Sequence, residues 1–130
     1  MRYLLINTCL PEAAAVYCVN KEGEEVWQEQ GHARMLVQVF ARYRAQLSEV
    51  TGFAIVAGPG RFSSLRVGIL SAHVLARWHK KPLFALTRED VATPESRRSV
   101  VQEIANGGRA PTEYVAPIYD REPNITTPRP

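Results

Sequence analysis

Short apolar runs alternate with segments of helical period along most of this chain. The runs are bounded by Gly, Pro or Asn and have the length of buried strands, about four to eight residues. They predict strands at residues 3–8, 13–20, 25–30, 53–57 and 83–87. Between them, apolar residues recur at spacings of three and four, which predicts helices at residues 31–48, 63–79 and 96–106. The order βββαβαβ with a last short helix by itself supports only a mixed α/β domain.

The two longer predicted helices carry more apolar surface than packing on a sheet requires. In residues 63–79, Leu65 and Ile69 are accompanied by Leu70, Leu75 and Trp78 around the helix. One stripe is enough to cover a sheet, so a second apolar face is expected to contact something else.

Composition narrows the class of protein but does not assign its function. The 130 residues are 45% hydrophobic, and the formal net charge of +3 permits either an acidic partner or RNA. No run approaches the roughly 20 apolar residues that cross a bilayer, and we expect a cytoplasmic protein. The three histidines and two cysteines have no metal-ligand spacing, so neither a metal site nor a cofactor is expected.

The most specific stretch is residues 58–68, Gly-Pro-Gly-Arg-Phe-Ser-Ser-Leu-Arg-Val-Gly, between a predicted strand and a predicted helix. Backbone N–H groups at such a turn can face an anion. The glycines can equally serve only to permit a tight turn. The Lys-Ser/Thr pair of a P-loop is absent, and the spacing is not that of a dinucleotide-binding loop.

This stretch resembles the signature Gly-Pro-Gly-x-Phe-Ser/Thr-x-Leu-Arg-Val/Ile-Gly of the TsaB (YeaZ) family. The matching positions are Gly58, Pro59, Gly60, Phe62, Ser63, Leu65, Arg66, Val67 and Gly68. The resemblance implies a single ribonuclease H-like (actin-like ATPase) lobe with a mixed five-stranded sheet and helices, in the order βββαβαβ.

The resemblance also implies the domain organisation. It covers residues 1–87, in which Asn7 stands where the family has Asp, and His32 stands where the first helix begins. Residues 88–112 are expected to be a short linker and helix in place of the second lobe, which makes this a shortened member. Residues 113–130 form a tail whose segment 116–124 resembles the end of the family's chains. Within it, residues 114–119 are expected to dock on the lobe, because their apolar side chains would otherwise face water.

By resemblance, the protein is a non-catalytic scaffold that dimerises with TsaD in tRNA threonylcarbamoyladenosine synthesis, with TsaE joining the complex and tRNA contacted only indirectly. A neutral Asn7 is a poor anchor for Mg²⁺, which agrees with the absence of catalysis. The motif loop is Gly58, Pro59, Gly60, Phe62, Ser63 and Gly68. The expected interface is Met35, Val39, Tyr43, Leu65, Arg66, Ile69, Ala72 and Ala76.

Alternatives remain open at this point. The apolar residues of one helix face can equally pack into the core of the single chain, which applies to Leu65, Ile69, Ala72 and Ala76. The protein could be a small nucleotide-dependent transferase or a peptidase-like enzyme, or it could be a homodimer with no role on tRNA.

Overall fold

The structure, a computed structural model, describes residues 1–10, 13–29 and 31–119. These residues contain five strands and four helices in the order βββααβαβα, with short 3-10 turns at Ala33–Met35 and Glu89–Val91. The elements are β1 (Tyr3–Leu10), β2 (Ala13–Asn20), β3 (Gly23–Gln28), α1 (Leu36–Arg42), α2 (Arg44–Leu47), β4 (Gly52–Val56), α3 (Phe62–His79), β5 (Leu83–Leu86) and α4 (Pro94–Ala105).

The strands form one mixed sheet in the order β3-β2-β1-β4-β5. The first three strands pair as antiparallel neighbours, whereas β4 pairs in parallel with β1, and β5 pairs in parallel with β4. β1 and β4 are buried along almost their whole length, as expected for central strands covered on both faces. The predicted mixed five-stranded α/β architecture is confirmed.

Helices cover both faces of this sheet. Successive side chains of a strand point to opposite faces, so Asn7 and Thr8 of β1 lie on different sides. The close approach of Thr8 to Gly68 puts α3 on one face. On the other face, Tyr17 lies opposite Leu5 in the ladder and contacts Arg97 of α4. The chain therefore presents two separate surfaces, one on each side of the sheet.

The single helix predicted over residues 31–48 is broken in the structure. A 3-10 turn precedes α1, and α1 is separated from α2 by Tyr43, whose φ of −102° and ψ of 24° leave the helical region. The ring of Tyr43 stacks on Trp27 of β3 with centroids 4.2 Å apart. This stacking accounts for the break, because the contact with Trp27 holds the Tyr43 ring in a position that the helical backbone conformation would not give it.

The last helix begins two residues earlier than the predicted start at Ser96. Thr93 accepts a hydrogen bond from the backbone of Ser96, and the Ser96 hydroxyl accepts one from the backbone of Thr93, which forms a capping box. Val100, Val101 and Ile104 of α4 are buried, and the helix packs on β2 and β3. Residues 88–112 thus connect β5 to the C-terminal tail, and their helix α4 also covers one face of the sheet.

Residues 112–119, here named the tail segment, dock on the lobe as expected. The backbone N–H of Thr112 donates to the Leu83 carbonyl at 2.8 Å, and that of Ile118 donates to the Ala57 carbonyl at 2.7 Å. Val115 is 2% exposed. The prediction for residues 114–119 is confirmed. Residues 120–124, the rest of the family-like segment, lie outside the described residues, as does Gln30, the last residue of the predicted strand 25–30.

Candidate functional site

Helix α3 has two apolar stripes on different faces. Leu65, Ile69, Ala72 and Ala76 point into the core and are at most 6% exposed. The second stripe, named here the α3 stripe, consists of Val67, Leu70, Val74 and Trp78, whose exposed fractions are 36%, 66%, 56% and 81%. The second apolar face expected from the sequence is therefore present.

The structure corrects which residues of α3 a partner could reach. Four residues of the expected interface, Leu65, Ile69, Ala72 and Ala76, already pack on the sheet within the single chain. Gly68, on the same side, approaches β1 so closely that a Cβ there would overlap the Thr8 side chain. The small side chains at this face allow helix and sheet to come together, so they serve the core. The α3 stripe is what remains accessible.

The expected interface residues before β4 also separate into two kinds. Met35 is 41% exposed, whereas Val39 is 7% exposed and packs in the core. Tyr43 is partly buried by its stacking on Trp27. His32 occupies the start of the 3-10 turn without a side-chain capping hydrogen bond, so its side chain does not cap the helix there.

A groove runs between α3 and the tail segment. Its volume is about 730 Å³, and it is lined chiefly by apolar groups of both elements. Phe62, at the start of α3, packs against Tyr119 of the tail segment with ring centroids 4.9 Å apart. Tyr114 stacks on the ring of His73 at 5.5 Å. The tail segment therefore supplies one wall of this groove, and the α3 stripe extends from its other wall.

The groove is basic as well as apolar. Arg66 and Arg77 both line it, and the Arg66 guanidinium lies 5.2 Å from the centre of the Phe62 ring. Within residues 1–10, 13–29 and 31–119, neither arginine forms an ion pair. An apolar surface flanked by cations that lack carboxylate partners suits an apolar and acidic ligand surface.

His73 connects the groove to the tail segment. Its Nε2 accepts a hydrogen bond from the backbone N–H of Val115 at 3.1 Å. Burial of the ring and the nearby Arg77 both lower the pKa of His73 from its ordinary value of 6.5. The ring is therefore neutral near neutral pH, which is the state in which Nε2 can accept.

The glycines of the motif loop are required by close contacts. Gly58 has a φ of +132°, and a Cβ there would overlap the carbonyl oxygen of Ile118. A Cβ on Gly60 would lie 3.0 Å from the Cys9 sulfur. The N–H of Gly60, one of those that could face an anion, donates instead to the Ile118 carbonyl at 3.1 Å. The motif loop thus contacts the backbone of the tail segment at Ile118.

Asn7 lies on the opposite face of the sheet from this groove. It is 6% exposed, and its Oδ1 accepts a hydrogen bond from the backbone N–H of Cys9 at 2.9 Å. It borders a polar hollow of about 690 Å³ that Tyr17, Arg88 and Arg97 also line. Arg97 is occupied there, because its guanidinium forms two 2.7 Å hydrogen bonds with Glu24. Glu24 raises the pKa of Arg97, so this charge is permanent.

No group of three or more His, Cys, Asp or Glu side chains in residues 1–10, 13–29 and 31–119 is placed to hold a metal ion. None of the helices described is long and apolar enough to cross a membrane.

Sequence reasoning recognised the second apolar face but chose residues from the buried one. Both stripes repeat at spacings of three and four, so the period alone does not separate them. The sizes of the side chains did contain a signal, because Gly68, Ala72 and Ala76 are small on one face while Leu70, Val74 and Trp78 are large on the other. No local pattern of the sequence connects His73 with Tyr114.

Comparisons with known proteins agree with this architecture. A family model described as "TsaD: tRNA N6-adenosine threonylcarbamoyltransferase" matches residues 29–93. The fold is similar to that of YeaZ from Pseudomonas aeruginosa, with a TM-score of 0.61, 23% identity, and coverage of 77% of this chain and 51% of that one. A second similar structure is the crystal structure of an uncharacterized protein with similarity to peptidase YEAZ from Pseudomonas aeruginosa. The TM-score is 0.57 and the identity 25%, and the match covers 66% of this chain and 43% of that one. The chain spans about half the length of these solved structures.

Proposed function

This chain belongs to the TsaD family of tRNA N6-adenosine threonylcarbamoyltransferase, as a TsaB/YeaZ-like member, and we propose that it is a non-catalytic scaffold subunit in tRNA threonylcarbamoyladenosine synthesis. Its partner in this proposal is TsaD, bound through the α3 stripe and the neighbouring groove. TsaE joins through the complex, and tRNA is contacted indirectly.

The observation that carries the proposal is the exposure of the α3 stripe. Four apolar side chains spaced along one helix face remain in water in the single chain, and Trp78 is 81% exposed. Large aromatic side chains are frequent anchors at protein interfaces. A partner helix laid along α3 would cover this stripe, and acidic side chains on that helix would pair with Arg66 and Arg77.

The non-catalytic part of the proposal rests on Asn7. An amide at this position brings no negative charge to a metal-bound phosphate, and its Oδ1 already accepts the Cys9 N–H. The binding surface lies on the other side of the sheet, so scaffolding does not depend on chemistry at Asn7.

The test introduces a charge in the middle of the α3 stripe. Leu70→Glu places a carboxylate where the partner would desolvate it, and we expect TsaD affinity to fall by about 30-fold or more, equivalent to about 2 kcal/mol. The measurement is isothermal titration of the full-length chain with TsaD of the same organism. Threonylcarbamoyladenosine formation in the reconstituted system is expected to fall in parallel.

Val26→Glu is the matched control. Val26 is 43% exposed on β3, away from α3, so the same change there should leave TsaD affinity unaltered. Circular dichroism should show both variants folded. By contrast, a charge at Ala72 or Val39, the positions that the sequence pattern favours, would test folding, because both are buried.

Two outcomes would overturn the proposal. A folded Leu70→Glu variant that binds TsaD as tightly as the wild type would exclude the α3 stripe as the interface. A chain that never binds TsaD, but changes from dimer to monomer with Leu70→Glu, would favour the homodimer with no role on tRNA.

A further inference from the structure

One imidazole connects the tail segment to α3. The Val115 N–H donates to Nε2 of His73 at 3.1 Å, and the Tyr114 ring stacks on the same imidazole at an angle of 27°. Val115 itself is 2% exposed, so its backbone N–H has little access to water as a substitute acceptor. The middle of the tail segment therefore depends on the acceptor state of His73.

The two ends of the tail segment are attached differently. Thr112 donates to Leu83 at one end, and at the other Ile118 donates to Ala57 and accepts from Gly60. These are bonds between backbone groups, which do not titrate between pH 5 and 8. Among the described residues, His73 is thus the proton-sensitive attachment of the tail segment, and it holds the middle part, which bears Tyr114.

The charges around His73 are mainly positive. The titratable or charged side chains that line the two hollows beside it come from α3, the turn after α3 and the tail segment. They are Arg66, Arg77, Lys81, Glu113, Tyr114 and Tyr119. Desolvation of the ring and then Arg77 lower its pKa, and Glu113 is the one carboxylate in this described set.

We propose that His73 is a positioning residue for the docking groove: its neutral ring seats the tail segment against α3, and its protonation releases that wall. A proton on Nε2 would face the Val115 N–H, which replaces a hydrogen bond by a contact between two donors. It would also add a cation beside Arg77. Release frees Tyr114, while the backbone bonds of Ile118 keep Pro117 and Tyr119 in place, so the groove loses the part of its wall that Tyr114 forms. This inference rests on the proposed function, because the groove is the surface assigned to TsaD.

The direction of the pH dependence follows from linkage. When the tail segment leaves, the His73 ring regains contact with water and loses the N–H that its Nε2 accepts, while Arg77 stays beside it on α3, so its pKa rises from the lowered value of the docked ring towards the ordinary 6.5. The detached state therefore binds more protons as the pH falls, and docking is weakened. Docking is complete above pH 6.5 and is lost as the pH falls from 6.5 through the lower pKa of the docked ring. Each unit by which the pKa is lowered allows a change of about tenfold in the docking equilibrium.

The direct measurement is hydrogen exchange at the Val115 amide in the full-length, isotope-labelled chain. The readout is the protection factor, which corrects for the intrinsic pH dependence of exchange. We expect protection at about pH 7.5 and a loss of several-fold, at most about tenfold, at about pH 5.5.

Two substitutions separate the proton from the side chain. His73→Gln keeps an acceptor that does not titrate, so Val115 should stay protected at both pH values. His73→Phe keeps a ring but removes the acceptor, so Val115 should be unprotected at both. His32→Gln is the control, because His32 is exposed at the start of the 3-10 turn and should leave the wild-type profile unchanged.

TsaD binding supplies the second readout. Wild-type affinity should fall with pH in step with Val115 protection, whereas His73→Gln should bind equally at both pH values. If Val115 protection in the wild type does not change with pH, the inference is overturned, and TsaD binding that persists would leave the proposed function intact. If Val115 protection depends on pH through His73 but TsaD binds at neither pH, the proposed function is wrong, while the pH-dependent docking of the tail segment is confirmed.

Discussion

The ion pair between Arg97 of α4 and Glu24 of β3 leads to a prediction that contrasts two adjacent arginines, Arg97 and Arg98. Arg97 is buried, with 7% of its side chain exposed, and both of its terminal nitrogens and its Nε are engaged. It bonds Glu24 twice and the Val91 carbonyl once, each at 2.7 Å, and its guanidinium lies 3.9 Å from the centre of the Tyr17 ring. Arg98, the next residue on the same helix, is exposed.

We expect Arg97→Ala to destabilise the protein by about 3–4 kcal/mol. Removing one partner of a buried ion pair costs about 3–5 kcal/mol, because the other charge is left without compensation. Glu24 keeps 16% of its side-chain exposure, so water relieves part of that cost, while the lost contact with Tyr17 adds about 1 kcal/mol. For a chain of 130 residues this corresponds to a fall of about 11–15 °C in Tm.

The assay is urea unfolding and thermal melting of the wild type, Arg97→Ala and Arg98→Ala. Arg98→Ala removes the same charge from the same helix and should change stability by less than about 0.5 kcal/mol. Glu24→Gln should reproduce much of the Arg97→Ala loss, since it leaves the guanidinium buried without its counter-ion. If Arg97→Ala and Arg98→Ala prove equally mild, α4 is not held by this pair and the reasoning is refuted.

Three further outcomes are expected. Deleting residues 112–130 should lower the free energy of unfolding by about 2–3 kcal/mol, because the burial of Val115 is lost; an unchanged Tm in the melting curve would contradict the docking of the tail segment. Gly58→Ala should destabilise by about 1–3 kcal/mol in the same assay, since a φ of +132° and the Ile118 carbonyl both exclude a Cβ, and a neutral effect would argue against that geometry. The isolated chain should show no ATP hydrolysis in a coupled assay, and turnover that Asn7→Ala abolishes would count against a non-catalytic subunit.

Local sequence patterns predicted most of the fold. Runs such as residues 53–57 are short, apolar and bounded by glycine, so they have few alternatives to a buried strand. The order of the strands, the position of α3 and the docking of residues 114–119 follow from such patterns, whereas the ends of the strands differ by one or two residues, as in β1, which continues to Leu10, and β3, which begins at Gly23. The break at Tyr43 does not, because it arises from stacking on Trp27, sixteen positions earlier in the chain.

The candidate site was only partly predictable. The motif of residues 58–68 indicated the family and the strand-turn-helix arrangement, and the width of the apolar surface on α3 indicated a second face. Which face meets the sheet was decided by packing, since Gly68 and Ala72 allow α3 to approach β1 where larger side chains could not.

The sequence by itself thus determined the elements, the class of fold and the motif, because these depend on the periodicity of side chains and on the conformations that Gly and Pro permit. The tertiary structure alone decided that Arg97 clamps α4 to Glu24 across 73 positions of chain, and that His73 accepts the N–H of Val115 across 42. Both contacts are made by charged or titratable side chains that are distant in sequence. Their partners are set by how the sheet brings chain segments together, which no local pattern records.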